Sequence, residues 1–139
     1  MDMGQWLFCS ATILKLKKQN FAYPFLRPVD YVMLCLPQYP SIVRNPMDLS
    51  TIERKLESSN PEHLDSNPDH PRYLNVDEYI ADVRLMVNNC LLFNGPENPV
   101  SGMAKRLEEA FDEEIKNIPA PGEVWRWSNC CSGSCSLTL

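Results

Sequence analysis

The sequence predicts an all-α protein built as a four-helix bundle, and three observations lead there. Twelve prolines in 139 residues cut the chain into four proline-free windows, 1–23, 47–60, 72–95 and 100–118. Proline lacks a backbone donor and clashes inside a helix, so each proline cluster marks a loop or a helix start. Apolar residues recur every three or four positions in each window, as on one face of a helix. No segment shows the alternating β-branched pattern of a strand bounded by turn residues. Four amphipathic helices bury their stripes by packing on one another. With 44 % hydrophobic and 22 % charged residues, the composition is that of a globular domain rather than a disordered chain. The length corresponds to a single core.

In the first window Leu7, Ala11, Leu14, Ile13 and Leu16 form the expected stripe, ending near Gln19. The second is short. Asp48 or Ser50 is its expected cap, Glu53 completes a Ser-x-x-Glu capping box, and Leu49, Ile52 and Leu56 face inward. The third opens on an Asn75/Glu78 capping pair and carries Val76, Tyr79, Ile80, Val83, Met86, Val87, Cys90 and Phe93 on one stripe, and Gly95-Pro96 stops it. The fourth takes Asn98 as cap and Pro99 as its first residue, followed by Val100, Met103, Ala104, Leu107, Phe111 and Ile115.

Two loops differ in character. Tyr23 to Met47 is long, and long loops in compact domains are usually functional. It is also apolar: Phe25, Leu26, Val29, Tyr31, Val32, Met33, Leu34, Leu36, Tyr39, Ile42 and Val43 are expected to bury, giving a proline-stiffened wall for a pocket. Glu57 to Tyr73 is polar and rich in turn formers, a solvated insertion over 58–72. It holds His63 and His70 with Asp65 and Asp69, and the surface-loop reading is preferred to a metal site.

The net charge of −5 gives no basic face for duplex DNA, so sequence-specific nucleic-acid binding is not expected. It favours Lys/Arg-rich partners instead. Glu108, Glu109, Asp112, Glu113 and Glu114 read as a solvated helix face. No apolar run spans a bilayer, and the first residues lack the basic flank and apolar core of a leader. Cys9, Cys35 and Cys90 stand singly in apolar surroundings and read as buried free thiols. Cys130, Cys131 and Cys135 lie in a Gly/Ser-rich tail, three thiolates where zinc takes four ligands, and Ser136 stands where a prenylation box needs cysteine. No metal or cofactor is expected, and the setting is intracellular and reducing. Trp125 and Trp127 mark a tail, 119–139, that either packs on the bundle or stays unstructured.

Three blocks carry a family resemblance. Tyr23-Pro24-Phe25 precedes Pro28-Val29-Asp30. Tyr39-Pro40 precedes Val43-x-Asn45-Pro46-Met47-Asp48-Leu49-Ser50-Thr51-Ile52-x-x-Lys55-Leu56. The third is Asp82-Val83-x-Leu85-Met86-x-x-Asn89-Cys90-x-x-Phe93-Asn94-Gly95-Pro96-x-x-Pro99-Val100. Together they resemble bromodomains, above all the first bromodomain of fungal BET (bromodomain and extra-terminal) proteins, over residues 5–118. The resemblance implies a left-handed bundle of helices Z, A, B and C, in which a long ZA loop and a BC loop form the pocket. It also implies recognition of acetyl-lysine on histone tails, chromatin-associated partners, a role in transcription regulation and a nuclear location, with no catalysis. Asn94 matches the family's anchor asparagine, which donates to the acetyl carbonyl, and Tyr39 the tyrosine that reaches it through water. Pro24 and Phe25 match the shelf, with Tyr23 where human BET proteins carry tryptophan, which shrinks the stacking surface. Val29, Leu34 and Leu36 line the loop side, Cys90 and Phe93 the helix side, and Val100 matches the gatekeeper. Taken alone, Asn94 also reads as a helix C-cap, and Cys90 and Phe93 as plain core. Asp82 and Glu97 are expected to flank the site, but no nucleophile–base pair follows from the spacing. The polar insertion is expected at the end of the bundle away from the pocket. A bundle kept only as an interaction scaffold would need neither Asn94 nor Tyr39.

Overall fold

The computed structural model describes residues 1–123, and the Cys-containing end of the tail with Trp125 and Trp127 lies outside the described residues. Four long helices form the body: α1 (Met3–Lys17), α3 (Leu49–Ser58), α4 (Val76–Asn94) and α5 (Pro99–Ile115). A 3-10 helix, Asn20–Phe25, follows α1, and the single-turn α2 (Tyr39–Ile42) sits within the long first loop. There is no strand among the described residues, and no helix there is long and apolar enough to cross a membrane.

Each of the four long helices starts with a side-chain cap for the amides that the first turn leaves free. Asp2 opens α1 with a full capping box, accepting from the Gln5 amide at 2.9 Å while Gln5 Oε1 accepts from the Asp2 amide. Asp48, not Ser50, caps α3, accepting from the amides of Ser50 and Thr51 and from the Ser50 hydroxyl. The expected Ser50/Glu53 box does not form, because Glu53 instead takes Lys17 of α1 at 2.9 Å. Asn75 caps α4 through the Glu78 amide, while the Glu78 carboxylate accepts from Leu74 rather than from the cap residue. Asn98 and Pro99 open α5 as expected.

The core is a single cluster drawn from all four long helices and the 3-10 turn, with Ile13, Leu16, Leu49, Ile52, Tyr79, Val83, Val87, Leu107 and Phe111 sealed from solvent. On α1 the buried face is Phe8, Cys9, Thr12, Ile13 and Leu16; Leu7 and Leu14, expected inside, are exposed. That window is apolar on more than one side, so periodicity alone does not choose the face. Tyr79 spans the core from α4, its hydroxyl donating to the Cys9 carbonyl at 3.3 Å, and Trp6 Nε1 donates to the Leu56 carbonyl at 2.7 Å. Burial pushes the Cys9 thiol up to about 12, so it is neutral and inert.

Polar ties join the helices along their outer edges. Arg84 of α4 reaches Asp112 at 2.6 Å and Glu108 at 3.2 Å on α5, and Lys15 of α1 reaches Glu114 at 2.7 Å. The acidic run on α5 is therefore partly an ion-paired seam rather than a purely solvated face. A tighter network closes the end where the polar insertion leaves and returns. Asp82 Oδ2 accepts from Lys55 Nζ and from the Tyr73 hydroxyl, each at 2.6 Å, and Lys55 lies over the Tyr73 ring. Ser59 links to both chain limbs, donating to the Lys55 carbonyl and accepting from the Tyr73 amide at 2.7 Å. Asp82 therefore does not flank the candidate site. It lies twelve residues before Asn94 on α4, about 18 Å along the axis at the helical rise.

The insertion itself is largely exposed and stands at the opposite end of the bundle from Asn94, with His70 Nδ1 held by Asp65 at 2.6 Å. No group of three or more His, Cys, Asp or Glu side chains is placed to hold a metal ion among the described residues.

Candidate functional site

The long first loop returns across the C-terminal end of α4 and encloses a cavity of about 370 Å³ between the loop, α4 and the start of α5. Its walls include every residue that the sequence pattern nominated: Tyr23, Pro24, Phe25, Val29, Leu34, Leu36 and Tyr39 from the loop side, Cys90, Phe93 and Asn94 from α4, and Val100 from α5. The sequence reading did not nominate Arg27, Pro28, Asp30, Met47, Asp48, Met86 and Asn89, which also line it. The signal for Asn89 was present as a polar residue interrupting the Met86, Cys90, Phe93 stripe.

Local geometry explains how each wall stands. Pro24 lies inside the 3-10 turn, and Phe25 is buried at its end. Tyr23 projects to solvent, 68 % exposed, beside the cavity it lines. Residues 30–36 form a closed turn: the Asp30 carboxylate accepts from the Met33 amide, the Asp30 carbonyl from Leu34, and the Tyr31 carbonyl from Leu36 at 2.8 Å. With its backbone bonds satisfied inside the turn, the loop directs several apolar side chains outward. Val32 (76 %) and Met33 (78 %) are the most exposed, and Val29, Tyr31, Leu34 and Ile42 are exposed too. The expectation that all these residues bury is thus corrected, since only Phe25, Tyr39 and Val43 of that set are buried. Cys35 is also corrected: it is exposed, at a positive φ of 55° that closes the turn.

Tyr39 is the buried aromatic of the loop side. Its ring meets Phe93 edge-on at 4.9 Å and stacks on Tyr31 at 6.0 Å. Burial, reinforced by the neighbouring Cys90 thiol, pushes the Tyr39 phenol above its ordinary value, so it is a neutral donor at physiological pH. Burial likewise raises the Cys90 thiol, against the pull of hydrogen bonds from Asn94 and Ser101.

Asn94 is the last residue of α4, and the chain then turns away at Gly95, whose φ of 82° suits glycine. The left-handed cap position therefore falls to Gly95, not to Asn94. The Asn94 side chain is exposed toward the cavity it lines, and its Nδ2 donates to the Cys90 carbonyl at 3.2 Å. Nδ2 also lies 3.5 Å from Cys90 Sγ, a weak sulfur contact, so Cys90 orients the group, and a ligand's carbonyl oxygen would be a better acceptor than the thiol. Ser101 braces the turn, donating to the Gly95 carbonyl at 2.6 Å, and so holds Val100 against the cavity.

The result is a mostly apolar recess with an oriented amide on one wall and a neutral phenol on another. It suits a slender apolar chain ending in a neutral polar group, and it disfavours an unpaired cation. A sequence model described as Bromodomain matches residues 9–106.

The chain is a bromodomain.

Fungal relatives agree. It is 41 % identical over 119 residues to the "SWR1 complex bromodomain subunit bdf1" of Schizosaccharomyces pombe, covering 86 % of this chain and 18 % of that protein. It is 42 % identical to "Bromodomain-containing factor 1" of Candida albicans, covering 82 % and 14 %, and 38 % identical to "Bromodomain-containing factor 2" of Saccharomyces cerevisiae, covering 78 % and 15 %. These relatives support a bromodomain of the fungal BET type, and the chain spans less than a fifth of the length of each.

Proposed function

We infer that this bromodomain is a non-enzymatic reader of acetylated lysine, with residues 5–118 as the module. The supporting observation is the Asn94 amide, oriented by Cys90 and open to an otherwise largely apolar cavity. Acetylation converts a lysine ammonium into a neutral amide on an apolar stem. The stem passes between the loop wall and α4, the acetyl carbonyl accepts from Asn94, and Tyr39 reaches the same oxygen through an ordered water. Val100, Cys90 and Phe93 enclose the methyl, while Pro24, Phe25 and Tyr23 support the stem and the peptide beside it. The hydrogen bond itself nets about 0.5–1.5 kcal/mol. Most of the discrimination comes from the cost of burying an unmodified ammonium beside Asn94 and Tyr39, while the cavity's carboxylates, Asp30 and Asp48, are held in their own turn and helix cap.

The partners that fit this chemistry are acetylated histone tails, whose Lys/Arg-rich sequences suit a chain of net charge −5. One relative is named as a subunit of the SWR1 complex, and a nuclear place among chromatin-associated proteins is the corresponding role for this chain.

Titrating free N-acetyl-lysine into isotopically labelled protein tests the reading. Amide resonances of Cys90, Phe93, Asn94 and Val100 are expected to shift together, with those of the insertion at 58–72 unmoved. Shifts scattered away from the cavity, or none, would contradict it.

A further inference from the structure

Asn89 is the one polar side chain on the pocket face of α4 that points inward rather than ending the helix. It is only 9 % exposed, yet it lines the cavity. Its Nδ2 donates to the main-chain carbonyl of Asn45 at 2.8 Å. Among the described residues this is the only side-chain hydrogen bond between α4 and the limb running from α2 to α3, residues 39–48. That limb begins with Tyr39 and ends with Asp48, both of which line the cavity. The limb's other holds are apolar: the edge-on contact of Tyr39 with Phe93, the buried Val43, and Met47 packed on the core. Such contacts resist sliding less than a directed bond does.

A polar side chain on a buried helix face costs free energy unless it is paired. The bond to the Asn45 carbonyl satisfies the Asn89 amide. It also joins two walls of the cavity, because Asn89 lies one residue before Cys90 and five before Asn94. We propose that Asn89 is a positioning residue, whose side-chain amide clamps the loop limb bearing Tyr39 to α4 and so sets the spacing between Tyr39 and Asn94. This rests on the acetyl-lysine reading for its effect on binding, though the clamp itself does not.

Without the donated bond the limb loses its directed tie, Tyr39 samples positions farther from Asn94, and the ligand carbonyl keeps the Asn94 bond but loses its water-bridged partner. The test uses Asn89→Ala and Asn89→Leu; leucine has the branching and heavy-atom count of asparagine, though it is bulkier, and cannot donate. Both variants are expected to bind an acetylated histone-tail peptide about tenfold more weakly, mainly through faster dissociation. In hydrogen exchange without ligand, amides of residues 39–47 are expected to exchange faster while the core amides of α4 and α5 keep wild-type protection. Asn94→Ala serves as the comparison, weakening binding without loosening the limb. Wild-type affinity in Asn89→Leu, or exchange that accelerates equally through α4 and α5, would overturn the clamp and leave Asn89 as an ordinary packing residue. Should the wild-type protein bind no acetylated peptide, the acetyl-lysine reading fails, and the exchange pattern alone decides for or against the clamp.

Discussion

Asn94→Ala is expected to remove acetyl-peptide binding while leaving the bundle almost as stable as before. The substitution deletes the only amide positioned to donate from the end of α4 into the cavity. The acetyl carbonyl would then be buried facing a methyl group, at a cost of about 1–3 kcal/mol for the unsatisfied acceptor. For a micromolar ligand that is roughly five- to 150-fold, and the upper part of that range flattens a calorimetric titration at ordinary concentrations. The structural loss is small. Asn94 is exposed and contributes a 3.2 Å bond to the Cys90 carbonyl and a weak 3.5 Å contact to its sulfur, at a helix end that Gly95 and Ser101 already close. The thermal midpoint should move by no more than about 2 °C. A midpoint falling by 10 °C would mean that Asn94 serves the fold, and binding within twofold of wild type would remove it from the ligand.

Phe111→Ala is expected to do the reverse, damaging the fold first. Phe111 has no solvent exposure, meets the Tyr79 ring at 5.7 Å and carries the Arg84 guanidinium over its face. It is where α5 closes on α4, and a cavity of that size among rigid neighbours does not refill. The expected cost is about 3–5 kcal/mol, a large share of the roughly 5–15 kcal/mol that holds a domain together. Chemical denaturation should show a lower midpoint with an unchanged slope. A loss below 1 kcal/mol would mean that the core repacks freely there. Peptide affinity in the fraction still folded should stay close to wild type, since Phe111 does not line the cavity.

How far such features can be read from the chain depends on what kind of signal carries them. Asn75, Asn98 and Pro99 announce helix starts because capping is local, and the stripe from Tyr79 to Phe93 names the buried face because α4 has one apolar side. In α1 the same logic chose Leu7 and Leu14, which are exposed, because apolar residues there surround the helix. Loop residues have no period at all, so nothing in the order of Tyr31, Val32, Met33 and Leu34 says that the turn from Asp30 to Leu36 faces them outward. The cavity-lining residues were legible through their resemblance to a family, not through spacing. Contacts between distant polar groups had no local signal: Asp82 meets Lys55 and Tyr73, and Asn89 meets Asn45, 44 residues away. Asp82 was placed near the site only because it falls within the same sequence block as Asn94, although the helix carries it toward the other end.

The most direct measurement is isothermal titration of the wild-type protein with two histone-tail peptides of identical sequence, one acetylated at a single lysine and one unmodified. The account predicts micromolar binding of the acetylated peptide and no measurable heat from the unmodified one, because the cavity accepts a neutral amide, while its two carboxylates, Asp30 and Asp48, are already engaged by the amides of Met33, Ser50 and Thr51. Equal affinity for the two peptides would contradict it.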